Sequence, residues 1–248
     1  MMDLTGLQAV FKREFKSYFA SPLGYIFVVI FLLAAGFLTL SRDYGKFLEL
    51  RHASLGSLFQ YLPWVFIVLV PAVAMRLWAE ERKTGTVELL FTLPITLQAS
   101  YLGKFLAGLS FLGFSLALTF PLVIQVARLG DPDWGTIASG YLACLFLAAC
   151  YLSLGMLFSA LTKNQVVAFI LGVAACALFL LFGLPQTLEI IGQTSGYLEQ
   201  VAASLSIIDH FGAMTRGLIE FKSLVFFLLV TAGALLTGMT ILNHTKAS

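Results

Sequence analysis

Charge is scarce in this chain: Lys, Arg, Asp and Glu make up 11% of the 248 residues, against the roughly 25% of a soluble domain. That scarcity excludes an ordinary water-soluble globule. In place of the charges stand long apolar runs, with 59% hydrophobic residues, 23 Phe and a mean hydropathy of +0.93. The strict alternation of a membrane strand is missing, so a β-barrel is excluded and helices remain. A phosphate-binding loop is also missing. Gly45-Lys46 and Gly103-Lys104 are each followed by Phe, and neither follows a strand, so no nucleotide is hydrolysed on this chain. Histidine is rare, and His52, His210 and His244 lie in separate segments without Cys or carboxylates at ligand spacing, which argues against a metal site. The three cysteines, Cys144, Cys150 and Cys176, fall inside apolar runs, where a thiol behaves as a small hydrophobe; disulfides are not expected.

A bilayer span needs about 20 mostly apolar residues. Six windows meet that requirement, at residues 23–40, 61–79, 102–127, 137–160, 166–183 and 224–242. The expectation is an all-α membrane protein, one transmembrane domain over residues 1–248. Ahead of the first window, Phe11, Phe15, Tyr18 and Phe19 repeat on one helical face while Lys12, Arg13 and Lys16 lie off it. Residues 5–20 thus read as an amphipathic helix lying in the interface with its basic side toward headgroups. The apolar run after Pro22 is too long for a signal-peptide core, so the segment is taken as retained. Residues 41–60 mix charges with apolar residues and read as an interfacial helix. The turn residues Gly130, Asp131, Pro132 and Asp133 precede an interfacial Trp134. Residues 184–223 carry Glu189, Glu199, Asp209 and Arg216 among apolar residues, which suits short external or re-entrant helices before the last span.

The stretch from Ala79 to Thr96 concentrates what charge there is. Glu80, Glu81, Arg82 and Lys83 would each cost roughly 2.5–3.5 kcal/mol at a bilayer centre, so the second span ends near Ala79. Gly85 breaks the helix. Thr86–Leu93 then reads as a short amphipathic helix, with Glu88 near its free amides, Val87, Leu90 and Phe91 forming an apolar stripe, and Pro94 ending it. Two readings are open from the residues alone: a loop joining two spans, or a contact element for a cytoplasmic partner.

Counting Lys and Arg along a six-span path gives nine on the N-terminal side and six on the other, so both termini and the Glu80–Thr96 stretch are expected to be cytoplasmic. No span carries an evident buried acid, which disfavours an ion-coupled carrier.

The run Glu-Glu-Arg-Lys-Thr-Gly-Thr-Val-Glu-Leu-Leu-Phe-Thr-Leu-Pro-Ile-Thr at residues 80–96 resembles the signature cytoplasmic loop of ABC-2 type permeases, the membrane subunits of ABC transporters. Within them it is most similar to the permeases of gliding motility and of nitrous-oxide-reductase maturation. Lys12 to Pro22 resembles their elbow helix, and His210-Phe211 with Arg216-Gly217 and Phe221 resembles their last external segment. The resemblance implies a bacterial inner-membrane permease that carries no cofactor and pairs with a cytoplasmic ABC ATPase holding ATP and Mg2+. It further implies a second permease half, either a copy or a related chain, and membrane lipids around it, with a periplasmic accessory protein and no nucleic acid among the partners considered. Glu80, Glu81, Arg82, Lys83, Gly85, Glu88, Leu90 and Phe91 would form the coupling element against the ATPase. Lys12, Arg13, Phe15, Lys16 and Tyr18 would belong to the elbow. His210, Phe211 and Arg216 would mark the external segment. The implied activity is ATP-driven export or extraction of a substrate. The rival reading is a subunit that moves nothing and passes ATPase motion to a periplasmic partner.

Overall fold

The computed structural model describes residues 4–41, 54–86, 95–194 and 196–247. Helix α1 (Leu4–Ala20) is followed at once by α2 (Pro22–Leu40). Ser21 makes this corner: its hydroxyl accepts from the Leu23 N–H, and Pro22 occupies the first helical turn, where its missing N–H costs nothing. Gly24 makes the corner tight, because a Cβ there would collide with the Tyr18 carbonyl oxygen.

Helices α3 (Gly56–Ala74) and α4 (Arg76–Thr84) form one 29-residue helical path interrupted at Met75. Helices α5 (Leu97–Ala117) and α6 (Phe120–Leu129) form a second, broken at Leu118 and Thr119 ahead of Pro121. Helix α7 (Trp134–Leu161) starts on Asp133, whose carboxylate accepts from the Gly135 and Thr136 N–H groups at 2.9 and 3.3 Å. Then come α8 (Gln165–Leu181), α9 (Pro185–Thr194), α10 (Gly196–Ser204), α11 (Ile207–Thr215) and α12 (Phe221–Ala247).

Helix α7 is the axis of the bundle. It packs against α3, α4, α5, α8, α11 and α12, and it carries Cys144, Cys150, Tyr151 and Met156 fully out of contact with the surroundings. Helices α2 and α12 lie at the periphery, with Leu33, Phe37, Leu229 and Leu236 exposed as lipid-facing side chains. Among the described residues, five helical paths are long and apolar enough to cross a bilayer. The chain is an all-α, multi-pass membrane protein.

Helix α8 has only 17 residues, and it passes the same test only together with Pro185–Gln193, from which it is bent by 73°. Its contacts nonetheless join the two ends of the bundle. Its first residue, Gln165, shares a cavity with Glu81, while Gly183 beyond its last turn lies against Ser206 next to α11. Helix α12 returns from that far end, where Ser223 contacts His210, to the near end, where Gly238 abuts Tyr101.

The starts of the second and third paths differ from the sequence reading. The second path starts at Gly56 and runs through Glu80–Lys83 to Thr84, because the helix leaves the apolar zone without unwinding. The third starts at Leu97 on a Thr96 cap, which sets Lys104 about two turns into the helix instead of at its mouth. Residues 184–223 resolve into three short helices among the described residues. Most of the 41–60 hairpin, residues 87–93 of the Thr86–Leu93 helix with Glu88, Leu90 and Phe91, and Pro94 lie outside the described residues.

Candidate functional site, a clasped helix at the near end of the bundle

Helix α4 starts without a cap of its own, since Met75 makes no side-chain bond to the first turn. The free donors are met from another helix. Ser159, in the last turn of α7, accepts from the Trp78 N–H at 3.1 Å and the Ala79 N–H at 3.0 Å, and donates to the Met75 carbonyl at 2.7 Å. One hydroxyl thus serves both sides of the α3–α4 junction, out of water, where unmet backbone groups are costly.

A second tie runs the other way. Arg82 donates to the Ala160 carbonyl, one of the free acceptors at the α7 C-terminus, where the helix dipole favours a cation. Helix α4 and the end of α7 therefore hold each other's unpaired backbone groups. Thr84 ends α4 by donating to the Glu80 carbonyl at 3.0 Å, and Gly85 follows at φ 75°, the left-handed closing position that favours glycine.

The third tie is ionic. Lys104 on α5 is 1% exposed, a lysine taken wholly into the bundle. Its Nζ lies 2.8 Å from Glu81 Oε1 and 3.1 Å from Glu14 Oε1. Arg13 completes a tetrad, with Nη2 2.6 Å from Glu14 Oε1 and 3.3 Å from Glu81 Oε1. The Lys104 ammonium also sits 5.1 Å from the centre of the Trp78 ring, within cation–π range, and Trp78 stacks on Tyr101 at 5.3 Å. Burial by itself pushes the Glu14 carboxyl up, but the charges and hydrogen bonds of Lys104 and Arg13 outweigh it and hold the group below its ordinary value. For Arg13 burial works downward, and the hydrogen bonds and charges of Glu14 and Glu81 prevail, so its pKa is raised.

The tetrad joins α1, α4 and α5. Helix α1 is further held by an aromatic ladder: Phe15 lies 5.8 Å from Phe11 and 5.2 Å from Phe19, and Tyr18 stacks on Phe111 at 4.5 Å. Lys12 and Lys16 point outward, as do Glu80 and Lys83 on α4.

Of the residues singled out in the sequence, the structure brings together Arg13, Tyr18, Glu81 and Arg82. It leaves His210, Phe211 and Arg216 at the far end of the bundle. There His210 is buried in α11, with Nδ1 3.1 Å from Ser223 Oγ, Nε2 3.3 Å from the Ser204 carbonyl oxygen, and its ring 4.4 Å from Phe226. It is a packed helical histidine rather than a loop one. Phe211 is buried beside it, and Arg216 is exposed next to the turn at Gly217.

No group of three or more His, Cys, Asp or Glu able to hold a metal occurs among the described residues. What the near end offers is a stiff junction linking an exposed charged helix to the axis of the bundle. Residues 8–243 match the family described as ABC-2 family transporter protein. The chain belongs to that family. No curated protein matches it. As an ABC-2 family member it is a membrane permease component of an ABC transporter, and α4 is the helix that leads into the loop by which it resembles such permeases.

Proposed function

We propose that this ABC-2 permease converts the motion of a separate cytoplasmic ABC ATPase, which holds ATP and Mg2+, into movement of its own bundle. Helix α4 is the lever, and the export or extraction of a hydrophobic or envelope-related substrate is the outcome. The observation that carries this reading is the triple tie of α4: Ser159 at its start, Arg82 on the end of α7, and Glu81 on buried Lys104. Force applied near Gly85 reaches α1, α5 and α7 together. Exposed Glu80 and Lys83 are left to meet the ATPase, with Glu88, Leu90 and Phe91 extending that contact. Energy enters as the difference in ATP affinity between two states of the partner.

The near end faces the cytoplasm of a bacterium in this reading, with the chain in the inner membrane beside a second permease half. Support comes from the nine-to-six split of cations and from the way α1, α4 and the end of α12 gather around the start of α5. Affinity purification in mild detergent tests the assignment. The intact chain should retain an ATP-binding subunit, and a Glu80→Lys/Lys83→Glu variant should lose it while still inserting. Retention of no ATPase by the intact chain would refute the reading.

One observation favours the rival role, transmission to a periplasmic protein. Helices α9 and α10 pack chiefly on each other and leave Ile190, Tyr197 and Val201 exposed at the far end. Copurification of an external protein that requires this pair, without substrate movement in vesicles, would select that role.

A further inference from the structure

Two cavities meet where α1, α2, α3 and α4 come together. One is an open polar cavity of about 580 Å³, walled by Arg13, Glu14, Arg76, Glu80, Glu81 and Lys104 among others. The other is an apolar groove of about 170 Å³ between α2 and α3, formed by Ile26, Phe27, Ile30, Leu69, Val73 and Phe111. Tyr18, Leu23, Met75 and Arg76 line both, so the two are one cleft with a polar head and an apolar tail. Leu23, Ile26 and Ile30 are about half exposed on the lipid-facing side, which opens the tail to the bilayer along its length.

The charges of the cavity divide in two groups. Arg13, Lys104, Glu14 and Glu81 pair with one another in the tetrad, through Oε1 of each carboxylate. Arg76 and Glu80 do not: neither has an ion-pair partner among the described residues. The Arg76 guanidinium lies 5.7 Å from the centre of the Tyr18 ring, at the level where the apolar groove gives way to the polar cavity. A guanidinium at this boundary can bind phosphate oxygens through paired N–H donors. Glu80, one helical turn further on and exposed, adds a carboxylate on the water side of that phosphate site. Oε2 of Glu81 is a buried acceptor without a partner in the same wall.

We infer that the cleft binds one bilayer phospholipid with a zwitterionic headgroup and a primary ammonium, a phosphatidylethanolamine. Its phosphate sits on Arg76, its ammonium faces Glu80, and one acyl chain lies in the groove along Leu23 to Ile30. That stretch of α2 spans about 10 Å, so the groove orders the first part of the chain and releases the rest to the bilayer. A second copy of the protein is a poorer fit. Helix α2 has no charged residue, so contact through its equivalent face would fill the groove and leave Arg76 uncompensated. Glu80 is shared with the ATPase contact proposed above, so the lipid is tested on the chain alone, where failure to bind it leaves the coupling role untouched.

Native mass spectrometry of the full chain, released from micelles holding equimolar phosphatidylethanolamine, phosphatidylglycerol and phosphatidylcholine of matched chains, tests it. The ethanolamine lipid should be retained over the other two. Arg76→Gln should lower its retention by about tenfold, the loss of a charge-assisted phosphate contact, with Arg76→Lys in between. Ile26→Trp, on the lipid-facing side, should lower it by blocking the groove even if Arg76 variants fold poorly. Glu80→Gln should bring phosphatidylglycerol level with phosphatidylethanolamine. Inorganic phosphate should not displace the lipid. Equal retention of all three lipids by the unmodified chain, or retention untouched by both Arg76→Gln and Ile26→Trp, would overturn the inference. So would displacement by free phosphate, or an Ile26→Cys disulfide dimer that excludes lipid.

Discussion

Ser159 Oγ lies 3.1 Å from the backbone nitrogen of Trp78, so a side chain at the end of the bundle's central helix caps the helix that carries Glu80 and Lys83. A cap supplied from another element fixes position as well as stability. Removing it separates the two effects.

Ser159→Ala should leave two buried N–H groups without this acceptor, at about 1–3 kcal/mol for each left unpaired. Ser159→Thr keeps the hydroxyl and should recover most of the loss. Thermal unfolding of the detergent-solubilised chain measures the cost. Where the ATPase complex is assembled, substrate-stimulated hydrolysis should fall in the Ala variant and return in the Thr variant, which a loss of stability alone would not reproduce at low temperature.

Lys104 is a buried cation held by two carboxylates. Glu81→Ala should destabilise the chain by about 1–3 kcal/mol, because it strips the nearer of two carboxylates from a buried ammonium and leaves Glu14 as its partner. Adding Lys104→Met should restore part of that loss, since an apolar side chain of similar length suits the site better than an ammonium that has lost one of its two carboxylates. A double-mutant cycle on unfolding midpoints checks the coupling. Additivity of the two changes would contradict the tetrad.

Glu14 gives the near end a pH dependence of definite sign. Its folded pKa lies below the ordinary value of 4.5, so its contribution is fully present above that value and is lost as pH falls through the lowered one. Docking of α1 should hold at pH 5 and weaken only under stronger acid. A fluorophore pair on exposed Lys12 and on the outer face of α5 would report it, and Glu14→Gln should flatten the response.

Gly24 lets α2 turn directly out of α1. Gly24→Ala places a Cβ against the Tyr18 carbonyl oxygen, a backbone atom that cannot swing aside. The expected result is loss of the α1–α2 corner, read as faster proteolysis of α1 in membranes with α3–α12 still protected.

Much of the fold is written in the apolar runs: their length announces helices, and Gly85 marks where α4 stops. The parts that were not legible are long-range. Lys104 reads as a cation at the mouth of a span because it opens an apolar run, and its partners stand 23 and 90 residues away in sequence. One signal was available, since a lysine with apolar residues on both sides must find a carboxylate. Ser159 gives no signal at all, for a small hydroxyl in an apolar run is common and only the packing of α7 on α3 brings it to Met75. Helix α8 ends early because Gly183 and Pro185 turn the chain, whereas hydropathy continues across them.

The most direct test of the lever is a pair of spin-label distances in the assembled, reconstituted complex, nucleotide-free and ATP-bound. Thr84→Cys paired with Lys163→Cys spans the α4–α7 clasp, and Thr84→Cys paired with Tyr25→Cys spans α4 and the start of α2. The expected result is a narrow Thr84–Lys163 distance that ATP leaves unchanged while the Thr84–Tyr25 distance shifts. A Thr84–Lys163 distance that shifts or broadens with ATP would show α4 moving on its own, and would contradict its role as a lever fixed to the axis of the bundle.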